Sequence, residues 1–493
     1  MILALSFTRH PTVLMLNYRF LSLLPVAICF LLGCQPQPAA ETEVAADVPP
    51  NIIFLLTDDQ RWDAVGFMGN DIVQTPHLDG LADEGTVFEN AYVTTAICAI
   101  SRASILSGQY ASRHGILDFD TSLSDSAFRK TYPAQLQQAG YYTGFVGKYG
   151  IGTLDSTTAR QRFDQWYGFN GQGQYEQTDE DGNYRHLTTI MGDESLAFLG
   201  GVPDNRPFCL SVSFKAPHVQ DVDPRQFVYD TAYSNLYADA TIPVPETADP
   251  RYFEQLPVFL QTSEARHRWQ RRFATAEAYQ ESVKGYYRLI TGVDNVVGRI
   301  KDALRRLGRT DNTIIVLTGD NGFYLGEHGL AGKWYGHEES IRVPLLYYDP
   351  RRPKAQRRDE IALNIDLAPT LLEATGVAVP PQMQGRSLLP LVRGEKVANW
   401  RKDFYYEHAF DVQKLVNEGK VDPEKLWPIP RSEGVASLGW KYLHYYDEPL
   451  PNEELYDLRN DPHETTNLVN DAAYRGKKDS LMQRMNVLKA AAQ

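Results

Sequence analysis

Runs of consecutive apolar residues recur along this chain, and they stop at glycines or charged side chains instead of alternating with polar positions. Asn51 to Thr57 (NIIFLLT) ends at Asp58-Asp59, and Tyr141 to Val146 ends at Gly147-Lys148. Phe208 to Phe214 ends at Lys215-Ala216-Pro217-His218, and Thr313 to Thr318 leads to Asp320-Asn321. Unalternating runs of this length suit strands buried on both faces. Thr86 to Val93 and Val343 to Tyr348 read as two more strands. Between them lie helical patterns: Pro76 to Asp83, Pro133 to Ala139 closed by Gly140, Ala276 to Leu307 stopped at Gly308, and Leu367 to Thr375 stopped at Gly376. The alternation predicts an α/β fold, a large mixed, mainly parallel sheet flanked by helices. Sites in such sheets gather at the carboxyl ends of strands, so Asp58, Asp59, Lys148, His218, Asp320 and Asn321 are expected on one edge.

The texture changes beyond Leu391. Phe404 to Glu407, Lys441 to Tyr446 and Glu454 to Leu458 are short aromatic strands with no long helices between them. They predict a smaller C-terminal α+β subdomain with an antiparallel sheet, residues 391–493, after a main domain over 51–390. Residues 219–275 form a polar, proline-containing insertion, either a substrate-shaping region or surface elaboration.

The first 50 residues follow another pattern. Arg9, His10 and Arg19 precede an apolar run, Phe20 to Leu32, that is short for a membrane span and ends Leu31-Leu32-Gly33-Cys34. This ending resembles the bacterial lipobox. The resemblance implies a signal peptide over 1–33, lipidation of Cys34 and a flexible tether over 34–50, with the protein exported and lipid-anchored at the bacterial cell envelope. A plain secretory signal or an N-terminal anchor helix are the alternatives. Of four cysteines, Cys29 falls in the signal and Cys34 at the lipid site, so the body holds Cys98 and Cys209 and no disulfide framework. Cys209 sits in an apolar strand and reads as core. By composition Cys98 is either its disulfide partner or a second buried thiol. The net charge of -13 makes nucleic acid an unsuitable partner.

Asp58, Asp59, Asp320 and Asn321 form an all-oxygen set suited to a hard cation, Ca²⁺ or Mg²⁺. Each pair alone is equally a turn or helix cap. In its ordered motifs the chain resembles the formylglycine-dependent sulfatases of the alkaline-phosphatase-like superfamily. Cys98-Ala99-Ile100-Ser101-Arg102, continuing to Leu106-Ser107-Gly108, is similar to their nucleophile signature. Gly147-Lys148, Ala216-Pro217-His218, Gly319-Asp320-Asn321-Gly322, Gly326-Glu327-His328-Gly329 and Lys333 follow in the family's order. So do Arg342-Val343-Pro344, Asp366-Leu367-Ala368-Pro369-Thr370, Glu454-Leu455-Tyr456-Asp457-Leu458 and Asp461-Pro462. The resemblance implies the following roles. Cys98 is converted to formylglycine by a maturation enzyme, and one hydroxyl of its hydrate attacks sulfur while the other later expels sulfate. One Ca²⁺ is held by Asp58, Asp59, Asp320, Asn321 and residue 98. Arg102 steadies the diol, Lys148 and Lys333 clamp sulfate oxygens, and His218 protonates the leaving alcohol. His114 and His328 are either structural or substrate-shaping, and His408, Arg431 and Glu433 are candidate contacts from the C-terminal part.

The expected substrate is a sulfated polysaccharide or oligosaccharide. Two positions depart from the family pattern: Ile100 stands where Pro or Ala is usual, and Gly150 stands where a histidine usually assists the diol, leaving His114 or His328 to replace it. Two other readings follow, a phosphodiesterase or phosphonate ester hydrolase of the same superfamily and an unmatured, non-catalytic glycan-binding surface protein.

Overall fold

The computed structural model describes residues 48–352, 354–418, 427–447 and 452–493. The signal peptide, Cys34 and most of the tether lie outside the described residues. Eight strands form the main sheet: β1 (Asn51–Asp58), β2 (Thr86–Phe88), β3 (Tyr142–Lys148), β4 (Gln165–Phe169), β5 (Phe208–Pro217), β6 (Thr313–Gly319), β7 (Leu345–Tyr348) and β8 (Gln356–Arg358). Their order is β8-β2-β7-β6-β1-β5-β3-β4. β7 pairs antiparallel with both neighbours, and the other pairs are parallel. The expected mixed, mainly parallel sheet is therefore present.

All eight residues of β1 are buried. Ile52, Phe54 and Leu56 face one core, and Ile53 and Leu55 face the other. That two-sided burial explains the absence of polar alternation in the sequence. The long helix (Ala276–Arg306) covers one face with Tyr286, Ile290, Val293 and Val297, and the helix Cys98–Ser107 sits in the core of the other.

Two strand expectations change. Thr86 to Val93 is not one strand: β2 stops at Phe88, and Ala91–Tyr92 pairs instead with Ala362–Leu363. The Glu89 amide bonds Arg358 and the Asn90 side chain bonds Asp359, which turns the chain out of the main sheet. β7 begins at Leu345 rather than Val343 because Pro344 has no amide to donate. The insertion 219–275 is built of short turns and helices ending in Glu264–Arg272.

The C-terminal part carries the expected antiparallel sheet, β9 (Asp403–His408), β10 (Ser432–Ser437), β11 (Lys441–Tyr445) and β12 (Asn452–Tyr456), in sequential order. Its final helix, Arg475–Ala492, was missed by the strand pattern. Leu481, Met485, Leu488 and Ala492 on that helix pack on Tyr405, Val435, Tyr442 and Leu455 of the sheet.

Candidate active site

Register brings the carboxylates together. β1 and β6 run parallel with Thr57 opposite Gly319, so Asp58-Asp59 and Asp320-Asn321 leave adjacent strands at the same edge. The Asp320 amide donates to Thr57 at 2.9 Å, extending the ladder by one bond, and the Asp59 amide donates to Asp320 Oδ1 at 3.1 Å. Asp59 holds a left-handed backbone, φ 62°, fixed by Tyr286 Oη donating to its carbonyl at 2.7 Å. A non-glycine residue adopts this conformation only when its surroundings over-determine it. β3 and β5 deliver Lys148 and His218 to the same edge, and Cys98 opens the helix beside them.

Every one of these side chains is buried. Lys148 Nζ donates to Asp58 Oδ2 and Lys333 Nζ to Asp59 Oδ1. Arg102 Nε donates to Asp320 Oδ2 at 2.8 Å, while its Nη1 bonds the Lys148 carbonyl at 2.6 Å and the Ser213 hydroxyl. Arg102 thus pins the ends of three strands to the helix that carries Cys98. Three cations, Lys148, Lys333 and Arg102, thus face three carboxyl groups, Asp58, Asp59 and Asp320. Burial pushes the Asp58 carboxyl up, but Lys148, then His218, Arg102 and Lys333, more than offset this and hold it well below the usual range. Asp320 is pushed up to about 7 by burial and by Asp58. Burial also raises the Cys98 thiol, against the pull of Lys148 and Lys333.

Three buried acceptors in this cluster, Asp58 Oδ1, Asp59 Oδ2 and Asn321 Oδ1, have no hydrogen-bond partner among the described residues. Each such oxygen costs about 1–3 kcal/mol unless something takes its lone pairs. Ligand atoms of Asp58, Cys98 and Asp320 lie within 4.8 Å of one another, as do those of Asp58, Asp59 and His218. The donor chemistry fits a bound metal ion. His218 belongs to this geometry in a way the motif did not foretell. Its Nδ1 hydrogen bonds the Val219 carbonyl at 2.6 Å, so Nε2 faces Asp59 Oδ2 at 3.5 Å with a lone pair unless protonated. Burial lowers the ring to about 4, with Asp59 and Asp58 pulling the other way.

Other candidates fall elsewhere. His114 bonds Ser104 Oγ at 3.0 Å and accepts from the Ile116 amide, a neutral link between two helices, and burial lowers it to about 3. Both ring nitrogens of His114 are thereby taken up by Ser104 and Ile116. Gly150 itself lies against Arg102, and a Cβ there would sit 2.9 Å from Arg102 Cδ. His328 is buried with φ 54° beside His337. His408 is buried at the end of β9, and Arg431 pairs with Asp447 at its rim. Glu433 is not brought to the cluster. It accepts from Tyr405 Oη at 2.8 Å and pairs with Lys489 at 2.6 Å, on the face covered by the final helix. Cys98 and Cys209 are both free and buried, which removes the disulfide alternative.

Sequence reading missed Gln172, an exposed residue whose Oε1 accepts from Lys148 Nζ at 2.8 Å. The signal was a glycine-flanked polar loop, Asn170-Gly171-Gln172-Gly173-Gln174, just past the carboxyl end of β4 on this same edge. It also missed Ser213, whose short polar side chain inside an apolar strand makes room for Arg102.

Comparison with known proteins gives this geometry its context. Residues 50–377 match the family model Sulfatase, and residues 326–491 match the model N-sulphoglucosamine sulphohydrolase, C-terminal. The N-acetylglucosamine-6-O-sulfatase of Bacteroides thetaiotaomicron is 30% identical, over 94% of this chain and 89% of that protein. The chain belongs to the sulfatase family. An arylsulfatase of Clostridium perfringens is 29% identical, over 88% of this chain and 92% of that enzyme. Among solved structures, a protein in complex with its substrate D-glucosamine-2-N,6-O-disulfate superposes with a TM-score of 0.76 at 27% identity, covering 90% of this chain and 98% of the other. The phosphonate monoester hydrolase of Agrobacterium radiobacter shares the fold, with a TM-score of 0.72 at 21% identity, over 90% of this chain and 96% of that one. As a sulfatase, this protein is a sulfuric ester hydrolase, and the edge described above is where its family motifs meet.

Proposed function

We propose that this sulfatase removes a sulfate ester from a glucosamine-type unit of a sulfated glycan. The observation that carries the reading is the match to the N-acetylglucosamine-6-O-sulfatase, which runs through both the main sheet and the C-terminal sheet. A chain matched only over its catalytic sheet would support the chemistry and say little about the sugar.

The residues divide the work as follows. Lys148 and Lys333 present ammonium groups to the sulfate oxygens and offset the charge that grows as the ester bond breaks. Substrate displaces the Gln172 carbonyl oxygen from Lys148 as it enters. Arg102, braced on Asp320, Ser213 and the Lys148 carbonyl, holds the nucleophile's helix in register with the strand ends. His218 keeps its Nδ1 hydrogen on Val219 and gives a proton from Nε2 to the leaving alcohol oxygen. The negative charge of bound sulfate favours that protonated state. Asp58, Asp59, Asp320 and Asn321 would hold Ca²⁺, a hard ion suited to oxygen donors, which supplies Lewis-acid polarisation of a sulfate oxygen. Maturation of Cys98 to formylglycine supplies a hydrated aldehyde. The thiol it replaces is kept protonated by burial and is a poor nucleophile. The lipobox-like ending Leu31-Leu32-Gly33-Cys34 supports a cell-envelope enzyme tethered through a lipid on Cys34.

A substrate panel tests the reading: glucosamine and N-acetylglucosamine 6-O-sulfates, an aryl sulfate, a phosphate diester and a phosphonate monoester. Turnover of the sugar sulfates ahead of the others is expected. Turnover of the phosphorus esters alone would overturn it in favour of the phosphodiesterase reading. Mass spectrometry of the peptide containing residue 98, from the native host, is expected to show a loss of roughly 18 Da relative to cysteine, with aldehyde reactivity. Unmodified Cys98 in active enzyme would sink the formylglycine assignment. Incorporation of labelled palmitate that disappears in Cys34→Ala tests the anchor.

A further inference from the structure

The insertion ahead of the long helix ends in an unusually basic helix, Glu264–Arg272 (EARHRWQRR), in a chain whose net charge is -13. This helix packs on the short strand Ala331–Gly332, directly before Lys333. A Cβ on Gly332 would lie 3.7 Å from Arg268 Cδ and 2.9 Å from the Trp334 ring. Arg268 is therefore next to the lysine that faces the sulfate site. Its guanidinium lies over Trp334, 4.7 Å from the ring centroid, and its Nε donates to Glu264 Oε1 at 2.7 Å. These two contacts fix the plane of the fork and leave its outer edge. Among the described residues neither Nη atom makes a hydrogen bond, and the nearest carboxylate, Asp221 Oδ1, stands 3.7 Å from Nη1. Asp221 is already engaged: Arg272 Nη2 donates to it at 2.8 Å, and Arg271 bonds its carbonyl. Burial pushes Asp221 up, yet Arg268, then His218, Arg272 and Lys333, hold it down to about 2, and Asp59 of the carboxylate cluster acts in turn on Arg268.

We propose that Arg268 is a specificity-determining residue, binding through its outer Nη edge, in place of the long ion pair to Asp221, a second sulfate-type anion on the substrate whose ester is cleaved at Cys98. A planar fork stacked on an aromatic ring suits bidentate capture of a tetrahedral oxyanion, and its entropy is already spent. The neighbouring pairs explain why the anion goes to Arg268. Arg272 holds Gln226 through Nε and Asp221 through Nη2, and its remaining Nη1, though without a partner among the described residues, is closed off from solvent, while Arg266 is sandwiched between Phe253 and Trp269. This assignment rests on the sulfated-glycan reading above and makes it narrower: the preferred substrate carries more than one sulfate group.

Equilibrium binding to the full-length Cys98→Ala protein, which cannot turn substrate over, provides the test. The probes are D-glucosamine-2-N,6-O-disulfate and glucosamine 6-O-sulfate, measured by calorimetry with Arg268 intact and as Arg268→Gln and Arg268→Lys. The disulfate is expected to bind more tightly to the Arg268 protein. Arg268→Gln should weaken the disulfate about 10- to 100-fold, as for loss of one charge-assisted contact, and leave the monosulfate within about twofold. Arg268→Lys should fall between, because it keeps the charge and loses the fork. Equal weakening of both ligands, or of neither, overturns the inference, as does equal affinity of the Arg268 protein for the two. Turnover is measured separately on the matured enzyme. Failure there removes the hydrolase reading and leaves the binding ratio to decide the role of Arg268.

Discussion

Lys441 opens β11 and is fully buried between two carboxylates, Glu338 Oε1 at 2.9 Å and Glu464 Oε1 at 2.7 Å. Glu338 begins the helical turn Glu338–Ile341, which follows the Lys333 segment, so the ammonium ties the C-terminal sheet to the polypeptide that carries an active-site lysine. Lys441→Met keeps the volume and removes the charge. Glu338 would retain the Tyr92 hydroxyl at 3.2 Å and Arg342 at 3.7 Å, and Glu464 would retain the Glu338 amide at 2.8 Å. Breaking a buried pair costs about 3–5 kcal/mol, and these remaining partners place the loss near the lower end, about 3 kcal/mol. Unfolding entropy of about 2.1 cal/mol/K per residue converts this to a fall in Tm of about 3 °C.

The pH dependence gives a sharper check. In the native protein burial pushes Glu338 up, but Lys441 and then Arg342 hold it below its ordinary value of 4.5. A depressed carboxylate contributes stability above its unfolded value that is lost as pH falls through the folded one, so the native protein keeps this contribution at pH 5 and above. Without Lys441, burial dominates and both carboxyls rise above their unfolded values, as Glu464 already does. Protonation then relieves the variant as pH falls. The gap in Tm between native and Lys441→Met should narrow from pH 8 to pH 5, and a triple change, Glu338→Gln, Lys441→Met and Glu464→Gln, should recover much of the loss. Thermal melts by near-UV circular dichroism read all of this. A variant melting within about 1 °C of native at pH 8, or a gap unchanged at pH 5, would refute the reasoning.

Other predictions concern the site. Gln172→Ala should leave Tm unchanged and move KM more than kcat, because the exposed Gln172 accepts from Lys148 Nζ in the substrate-free protein; an equal fall in kcat would instead place it on the transition state. Gly332→Ala should cost about 2–3 kcal/mol in melts and depress kcat, since φ is +102° and the new methyl meets Trp334 at 2.9 Å beside Lys333. Chelation should lower Tm reversibly, by about 2.7 kcal/mol of stability for an ion present at one hundred times its Kd, with Ca²⁺ restoring it. No change in Tm on chelation would count against an ion on the orphaned oxygens of Asp58, Asp59 and Asn321.

Much of the site was legible because it is built from strand ends. A strand buried on both faces announces itself by an unbroken apolar run, and the first polar residue after it is confined to the sheet edge. Asp58, Lys148, His218 and Asp320 all stand at such strand ends and are marked by the sequence pattern alone. Gln172, Ser213 and Arg268 carried no such mark. Gln172 and Arg268 lie on connecting segments whose path is set by what they pack against, and Ser213 matters only because Arg102 arrives from another element. Glu433 was misread for a related reason. Strand periodicity assigns it to one of two faces, and only the docking of Arg475–Ala492 shows which face is covered.

The sequence by itself determined the α/β class, the ordered family motifs and the set of residue types needed for sulfate chemistry. These follow from local rules: apolar period, strand length and the chemistry of a residue at a strand end. Only the tertiary structure decided the pairings. It placed Lys148 on Asp58 and Lys333 on Asp59, left three buried oxygens open for an ion, sent His114 to Ser104 and stacked Arg268 on Trp334. Each of these contacts joins residues from separate elements, and their geometry depends on sheet register and helix docking. A linear pattern does not encode those quantities, whereas close packing fixes them to fractions of an ångström.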